Sequence, residues 1–480
     1  MHRMTPLDSW FLHIEDDADH MHIGSVGIFE GPPPEPERLR ATIASKLDAL
    51  PRYRQRVTTV PLGVGRPVWT DDPHFAIEYH VRHTALPRPG SMTELRTLVG
   101  RVMGQQLDRR RPLWETWFVE GLDGDRWAML SKVHHCMVDG IAGTDLLAAV
   151  LDIDAAPAAP IDLAAPWSPG PAPGRMRLVA DASREIAAGS LQRLKGPVSV
   201  SPRRLARGAW AAAHGAVGLA ALFRPMAPTS LTGPIGPHRR WAEARVDLAH
   251  AKEVRARLGG TINDVVLAVI TAGYRGLIAS RGELEPTTEV RTLVPVSLRS
   301  PSQRGEYHNL VTAVFAHLPV GIDDPVERFL RIRDEMRDLK GSGEQEAVAG
   351  LVGLTGIVPP ALVGTTLRTI TRLVQRYGQR FVSTVTTNVP GPQLPLYLLG
   401  RRMLEAYPFV PIGEGLRTGV AIFSYDGALT FGVTGDYDTT ADLGVFTEAI
   451  ESGMAELLAE AAAYALEDDA PVAVAADASP

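Results

Sequence analysis

The sequence is poor in cysteine and lacks the short motifs of several large enzyme classes. Cys136 is the only cysteine among 480 residues, which excludes an intramolecular disulfide and a thiolate cluster for zinc or iron–sulfur. No G-x-G-x-x-G follows a strand and no G-x-x-x-x-G-K-S/T occurs, so a dinucleotide or P-loop phosphate site has no support. G-x-S-x-G is also absent, and with it the nucleophile elbow of the α/β-hydrolases.

Excess positive charge and an export signal are missing as well. The chain has 49 Lys and Arg against 55 Asp and Glu, a net charge of −6, which argues against a protein that coats nucleic acid. The N-terminal residues reach several acidic side chains without the apolar core of a signal peptide. We therefore expect a cytoplasmic protein.

The longest run without charge covers residues 347–367 and has enough residues to span a bilayer. It also contains Pro359, Pro360 and four glycines, which interrupt regular structure. We expect two buried or interfacial segments here, with a membrane span as the alternative. Such segments either pack in the core or line an apolar channel.

The length exceeds what one ordinary core supports and predicts two lobes. Residues 1–156 mix strand-like and helical patterns, which predicts an α/β lobe. Residues 157–238 begin rich in proline and continue as a basic helical stretch, which predicts a linker. Residues 239–467 resume the α/β pattern as a second lobe, and residues 468–480 have the composition of a disordered tail.

A basic segment within the linker runs against the overall charge. Residues 175–224 contain nine Arg or Lys but only Asp181 and Glu185, interleaved with apolar side chains. One interpretation is a pair of helices that lies on a lipid surface, where cations meet anionic headgroups. The other is a solvated face on helices that bridge the lobes.

The sharpest local motif is HHCMVDG, residues 134–140, which follows an alternating run and precedes an apolar helical pattern. This order predicts a strand, a tight turn and a helix. Neighbouring side chains on a strand face opposite sides, so His134 and His135 cannot share one pocket unless the strand breaks. We expect one histidine to be structural and the other to be a general base, because an imidazole titrates near neutral pH.

Asp139 and Gly140 have a different predicted role. Beside the turn at Gly140, the carboxylate of Asp139 can accept backbone N–H groups or pair with an arginine. It would then organise the loop and keep the imidazole aimed.

Three alternatives to this interpretation have weaker support. A metal site made of His134, His135 and Asp139 is disfavoured because adjacent strand histidines diverge. A Cys136 nucleophile would need a separate base across a cleft, and no local cysteine-protease context is present. Buried core histidines would not need the Asp-Gly that follows them.

Further motifs extend this one across most of the chain. They are MTPLDSWFL (Met4–Leu12), RPLWETW (Arg111–Trp117), NDVVLA (Asn263–Ala268), PVSLR (Pro295–Arg299), TNVPGP (Thr387–Pro392) and SYDG (Ser424–Gly427). HHCMVDG alone matches the HHxxxDG motif of a wide superfamily, which includes chloramphenicol acetyltransferase and peptide-synthetase condensation domains. With the further stretches in this order, the chain resembles the bacterial wax ester synthase/acyl-CoA:diacylglycerol acyltransferase family. Thr387 stands where we expect a serine, a change that keeps the hydroxyl.

The resemblance implies an α/β fold with two chloramphenicol-acetyltransferase-like lobes, each a mixed sheet with helices, and an active-site tunnel between them. It implies direct transfer, in which His135 takes the proton of an acceptor hydroxyl that attacks an acyl-CoA thioester. His134 is then the supporting histidine. No metal, cofactor or covalent enzyme intermediate is needed, because acyl-CoA is a substrate.

Residues outside the HH motif are assigned with this reaction in mind. Asn263, at the start of an apolar helix, is the predicted oxyanion donor; alternatively it is the N-cap of that helix. Arg299 is the predicted ion-pair partner of Asp139, or else a surface cation. Pro112, Leu113 and Trp114 are expected to shape lobe packing or the tunnel wall.

The resemblance thus predicts synthesis of triacylglycerol from diacylglycerol and long-chain acyl-CoA, and wax esters from fatty alcohols as a further product. Peripheral contact with the inner membrane or a lipid droplet is expected, with no nucleic acid as a partner. Two alternatives stay open. One is acyl transfer to a hydroxyl of a polyketide or another secondary metabolite. The other is a non-catalytic protein that binds lipid surfaces.

Overall fold

The computed structural model describes residues 2–137, 149–156, 167–195, 227, 229–297, 311–341, 381–413 and 415–468. Strands in these residues are His2–Arg3 (β1), His22–Glu30 (β2), Gln55–Thr58 (β3), Val68–Asp71 (β4), Val81–Ala85 (β5), Trp114–Leu122 (β6), Arg126–His134 (β7), Thr232–Gly233 (β8), Arg239–Asp247 (β9), Val290–Ser297 (β10), Val311–Leu318 (β11), Thr384–Pro390 (β12), Tyr397–Leu398 (β13), Arg401–Phe409 (β14), Gly415–Leu416 (β15), Thr418–Tyr425 (β16) and Ala428–Asp436 (β17).

Helices in the same residues are Pro6–Ile14 (α1), Pro36–Lys46 (α2), Ile77–His80 (α3), Met92–Met103 (α4), Arg175–Lys195 (α5), Leu248–Leu258 (α6), Ile262–Ser280 (α7), Pro325–Gly341 (α8) and Leu443–Asp468 (α9). Single 3-10 turns occupy Pro51–Arg54, Pro61–Gly63 and His135–Met137.

The first sheet has β7 near its centre, with the strand order β13-β14-β2-β7-β6-β5. β2 pairs with β7 in antiparallel register, which sets His22 opposite His134. Apolar side chains of α4 cover one face of this sheet and those of α2 cover the other. Because both faces are covered, eight of the nine residues of β7 are buried, as expected of a central strand.

The second sheet has the order β11-β10-β12-β16-β17-β9 and carries the largest core, against α6, α7, α8 and α9. α7 is the one helix of the described residues long and apolar enough to cross a membrane, and 72% of that apolar window is buried inside the protein. We interpret it as the central core helix of this lobe, since α9 packs along it.

One strand does not follow the predicted division into lobes. β14 lies in the predicted second lobe, residues 239–467, yet it pairs with β2 and so belongs to the first sheet. The chain therefore crosses from the second lobe to the first and back, which ties the two sheets together.

Several predictions concern residues outside those described. They are the roles of Asp139, Gly140 and Arg299, the nature of segment 347–367, and about half of linker 157–238. Of the predicted tail 468–480, the structure describes only Asp468, the last residue of α9.

Candidate active site

The two histidines of the HH motif lie on either side of the point where the strand ends and a 3-10 turn begins. β7 ends at His134, and His135 begins the 3-10 turn His135–Met137. The His134 N–H donates to Leu113 O at 2.9 Å, and the His135 N–H donates to Met21 O at 2.8 Å. His134 is fully buried and His135 is half-buried. The break lets the two side chains serve different environments, as the sequence analysis required.

His135 lies against one aromatic ring. Its ring stacks on Phe11 of α1, with the centroids 3.9 Å apart and the planes tilted by 22°. Desolvation lowers the pKa of His135 to about 4. The Nδ1 atom is buried and has no hydrogen-bond partner among the described residues. His135 is thus neutral at physiological pH and can accept a proton.

His134 has the supporting environment. Its Nδ1 accepts the Cys136 N–H at 3.1 Å, so the ring proton resides on Nε2. That Nε2 lies 3.5 Å from the carboxylate of Glu15, whose side chain is 2% exposed. Both ring nitrogens are therefore directed at protein groups, which agrees with a structural role for this histidine.

Cys136 has no feature of a nucleophile. The thiol is buried, and desolvation raises its pKa well above the ordinary value. It packs with Met4, Leu12 and Leu113 in a small apolar cluster. The thiol stays protonated and serves as a core side chain.

Leu113 and Trp114 have packing roles, as predicted. Both are fully buried, and the Trp114 indole donates to Tyr53 O at 2.7 Å while its ring stacks on His80. The Leu113 carbonyl holds the last residue of β7, so the RPLWETW motif fixes the end of the strand from its neighbour β6.

Asn263 is placed at the second residue of α7, and the alternative that it caps this helix is wrong. Thr261 is the N-cap, and its side chain accepts the Asp264 N–H while the Asp264 carboxylate accepts the Thr261 N–H. Asn263 Oδ1 instead accepts a hydrogen bond of 3.3 Å from Asn388 Nδ2. Since its carbonyl oxygen is engaged by Asn388, the Nδ2 group of Asn263 remains to act as a donor. In the described part of the chain, no hydrogen bond joins Asn263 to His135.

The other second-lobe motifs hold the lobes together. The Gly391 N–H donates to Ser424 Oγ at 3.1 Å, and a Cβ on Gly391 would come within 2.3 Å of Ser424 O, so only glycine fits there. The Tyr425 hydroxyl donates to Met403 O at 3.0 Å and accepts the Leu396 N–H at 2.8 Å. TNVPGP and SYDG thus fasten β16 to the strand that crosses into the first sheet.

Three residues were not assigned roles from the sequence: Phe11 and Glu15, which lie at the HH turn, and Asn388, which contacts Asn263. Phe11 and Asn388 lie inside motifs that were used for the resemblance only. Glu15 follows α1 directly and begins the acidic run EDD, which was used only against an export signal. Among the described residues, no group of three or more His, Cys, Asp or Glu could hold a metal ion.

Comparison with known proteins decides the family. Residues 4–266 match the model of the wax ester synthase/diacylglycerol acyltransferase catalytic domain, and residues 307–458 match the C-terminal domain of the same proteins. A Mycobacterium tuberculosis protein named "Probable diacyglycerol O-acyltransferase" is 37% identical over 461 residues, 96% of each chain. The chain belongs to the wax ester synthase/diacylglycerol acyltransferase family.

Solved structures agree with this membership. The wax ester synthase/diacylglycerol acyltransferase of Marinobacter aquaeolei VT8 is 25% identical and superposes with a TM-score of 0.69, covering 96% of this chain and all of that one. The starter condensation domain of rhizomide synthetase, in complex with C8-CoA and Leu-SNAC, is 13% identical with a TM-score of 0.54, covering 97% of this chain and 94% of that one. The predicted fold of two chloramphenicol-acetyltransferase-like lobes is confirmed.

The HH turn joins a fully buried histidine to a half-buried one whose pKa is lowered to about 4. In the second lobe, two neutral amides meet, one at the start of α7 and one in β12. The catalytic-domain match, residues 4–266, ends just beyond Asn263, so it includes both histidines and the predicted oxyanion donor.

Proposed function

We propose that this protein transfers the acyl group of a long-chain acyl-CoA to the free hydroxyl of diacylglycerol, which forms triacylglycerol. The main observation behind this proposal is that His135 is neutral, half-buried and the first residue of the 3-10 turn after β7, in a member of this acyltransferase family. The name of the M. tuberculosis relative and the acyl-CoA bound to the condensation domain support the choice of substrates.

The reaction needs one proton to move from the acceptor hydroxyl to His135 and then from His135 to the leaving thiolate. His135 accepts the proton of the acceptor hydroxyl while the oxygen attacks the thioester carbonyl carbon. The tetrahedral intermediate collapses, the C–S bond breaks, and the proton on the imidazolium passes to the leaving thiolate as free CoA forms. No covalent bond between substrate and enzyme is made at any stage.

Asn263 is the proposed donor to the oxyanion of the tetrahedral intermediate. A side-chain amide stabilises the developing negative charge without exchanging a proton. Asn388 supports this role because its contact fixes the orientation of the Asn263 amide and leaves Nδ2 available.

Fatty alcohols are the second proposed acceptor, which would yield wax esters. The family model and the Marinobacter relative both carry wax ester synthase in their names. A hydroxyl on a secondary metabolite would use the same chemistry, so acceptor choice is a matter for experiment.

Purified protein incubated with palmitoyl-CoA and diolein or hexadecanol tests the proposal through release of free thiol and extraction of the ester. We expect palmitoyl-dioleoylglycerol from diolein and a lower yield of the wax ester, hexadecyl palmitate, from hexadecanol. Absence of turnover with every acceptor, in protein that binds lipid vesicles, would instead favour a non-catalytic surface protein.

We also propose that the protein works in the cytoplasm at the surface of the inner membrane or a lipid droplet. α5 packs through Leu178 and Ala182 against Val60 and Val68. This arrangement leaves apolar side chains facing solvent, and Met176 is 82% exposed.

The neighbouring turn adds a second exposed apolar side chain. Leu62 is 90% exposed, has a left-handed φ of 61° and lies in the turn Pro61–Gly63, which contacts α5. The surrounding charged side chains are predominantly cationic; they are Arg3, Arg66, Arg175, Arg177 and Arg184 against Asp181 and Glu185. Cations beside exposed apolar groups suit an anionic lipid surface.

Flotation with vesicles containing phosphatidylglycerol measures this surface. The double variant Leu62→Ser, Met176→Ser should reduce binding about tenfold, since two apolar side chains no longer enter the interface. Ile153→Ser, at another exposed apolar position, is the matched control and should not change binding. Equal binding by the double variant and the control would move the docking surface elsewhere.

A further inference from the structure

A buried carboxylate lies directly behind the HH turn. Glu15 follows the last residue of α1, and its side chain is 2% exposed. One oxygen lies 3.5 Å from His134 Nε2 and 2.6 Å from Arg109 Nη2. The other lies 3.4 Å from His22 Nε2 and accepts the Met21 N–H at 3.3 Å. The same carboxylate thus meets the supporting histidine, a second buried histidine and a cation.

Glu15 is ionised in this setting. Burial raises the pKa of a carboxyl group, but the contacts with His134 and His22 outweigh burial and hold the pKa of Glu15 well below its ordinary range. The Arg109 guanidinium, 2.6 Å from the carboxylate, is a permanent positive charge beside it. Desolvation lowers the pKa of His22 to about 3, so that histidine is neutral near pH 7. An anion in this position favours a proton on the facing nitrogen of His134.

The loop that carries Glu15 is fixed independently of His134. Arg109 Nη2 donates to Leu12 O at 3.1 Å, and Gln106 Nε2 donates to Asp16 O at 2.6 Å. Arg239, from the first residue of β9 in the second sheet, donates to Ala18 O. Side chains of both lobes therefore fix the position of the Glu15 loop without any contact to His134.

His134 passes this constraint to the turn. With the proton on Nε2, its Nδ1 lone pair accepts the Cys136 N–H. That N–H belongs to the residue that follows His135 in the chain, so the bond fixes the turn on which His135 stands. The opposite tautomer would place two N–H donors face to face at Cys136 and turn the Nε2 lone pair toward the ionised carboxylate of Glu15, 3.5 Å away.

We propose that Glu15 is a positioning residue for the acyl transfer: its carboxylate holds His134 in the Nε2–H tautomer, and His134 in turn fixes the turn that aims His135. This inference rests on the proposed role of His135 as general base. Glu15 itself touches no reacting atom.

Glu15→Gln is the first test, because glutamine keeps the size of the side chain and removes its charge. We expect kcat to fall about 10- to 100-fold, as is typical when a partner behind a catalytic group is removed. KM for palmitoyl-CoA and for diolein should stay within about threefold, because positioning affects the transition state rather than substrate binding.

Glu243→Gln is the matched control. Glu243 is also a buried carboxylate, 7% exposed, that pairs with an arginine, Arg96, at 2.6 Å. It lies on β9, opposite α4 and away from the HH turn in the chain. We expect this variant to keep the wild-type kcat. An equal fall in kcat in the two variants would overturn the proposal, since it would reflect loss of any buried ion pair.

A double-mutant cycle separates positioning from general loss of structure. In His134→Asn the amide oxygen can replace Nδ1 as acceptor for the Cys136 N–H, without a ring tautomer to control. Glu15→Gln should then cost less than threefold in the His134→Asn background. A full 10- to 100-fold loss in that background would show that Glu15 acts by another route.

Histidine side-chain NMR gives a readout that does not depend on turnover. In 15N-histidine-labelled protein, the resonances lost in His134→Asn identify His134, and Glu15→Gln should shift them toward mixed tautomers. Unchanged His134 resonances would overturn the inference. If His135→Ala keeps wild-type turnover while the resonances shift as expected, the general-base role fails and the Glu15–His134 coupling stands.

Discussion

The buried polar groups of the two lobes differ in chemistry. In the first lobe, ionisable side chains lie buried beside the HH turn. Lys132 is almost fully buried, and burial lowers its pKa to about 8. It donates to Val102 O at 2.8 Å, on the same face of β7 as His134. His22 and Glu15 complete this group.

In the second lobe, the buried polar side chains of β10, β12 and β16 that meet α7 or one another are hydroxyls. Tyr274 of α7 contacts the hydroxyls of Thr384 and Thr418, and Thr292 donates to Thr386 at 2.8 Å. Burial raises the pKa of Tyr274 to about 12, so this network stays neutral across the physiological range.

This difference teaches how the reaction can be divided. Proton transfer needs a group that titrates, whereas oxyanion stabilisation needs fixed dipoles that do not exchange protons. We propose that the first lobe supplies the titrating group at His135 and that the second supplies neutral amides at Asn263 and Asn388. The following predictions test that division.

Replacing His135 should have the largest effect. His135→Ala removes the base, and we expect kcat to fall about 100- to 10,000-fold. His83→Ala is the control, since His83 is a partly exposed first-lobe histidine that pairs with Glu120 at 2.6 Å. Thiol release under saturating palmitoyl-CoA measures both. A fall of less than tenfold in His135→Ala would place the base elsewhere.

The second-lobe counterpart is Asn263→Ala. Loss of one oxyanion donor should lower kcat about 100-fold without changing the pH dependence. Thr261→Ala removes the adjacent helix cap, and should cost about 1 kcal/mol of unfolding free energy while the rate is kept. If the two variants lose activity in proportion to their loss of stability, Asn263 has no role in the reaction.

Phe11→Ala should raise the pKa of His135. Removing the stacked ring admits water to His135, so its pKa should rise from about 4 toward the ordinary value of 6.5. The acid limb of the profile of kcat/KM against pH should move up by about one unit. Phe75→Ala removes the ring stacked on His80 and should leave the limb in place. An unmoved limb in Phe11→Ala contradicts the assignment of that limb to His135.

Acid stability should fall because the first lobe buries neutral histidines. The pKa of His80 is lowered from 6.5 to about 4, chiefly by desolvation. Below pH 6.5 the unfolded chain therefore binds a proton that the folded chain rejects, and stability falls as the pH drops toward 4. For His80 alone the loss is about 2 kcal/mol at pH 5.

Urea unfolding at pH 7 and pH 5 measures this loss. His80→Gln should reduce the difference in unfolding free energy between the two pH values by about 2 kcal/mol. An unchanged difference would mean that other groups carry the acid sensitivity.

Local patterns in the sequence were enough to predict most elements. The alternating run Ile23–Phe29 lies within β2, and the apolar period from Thr261 to Ser280 corresponds to α7 with its cap. These elements depend on neighbours two to four residues away, so a single sequence shows them. Family resemblance added the two-lobed fold, which the comparisons confirm.

Long-range contacts could not be predicted in this way. β14 joins the first sheet through β2, more than 370 residues earlier in the chain, and no local pattern specifies that partner. Asn388 and Asn263 are 125 residues apart in sequence. Glu15 and His134 also lie at opposite ends of the first lobe's sequence and meet only in the folded protein. Such pairs depend on the assembled sheets and not on the period of side chains along one segment.

The pH dependence of kcat/KM in three proteins tests the central claim most directly: wild type, Asn263→Ala and His135→Ala. Brief pH-jump assays, with circular dichroism as a check on folding, keep acid unfolding out of the measurement. We predict that wild type and Asn263→Ala share an acid limb set by the His135 pKa of about 4, while His135→Ala is slow and lacks that limb. An acid limb that persists in His135→Ala, or disappears in Asn263→Ala, would contradict the division of labour between the two lobes.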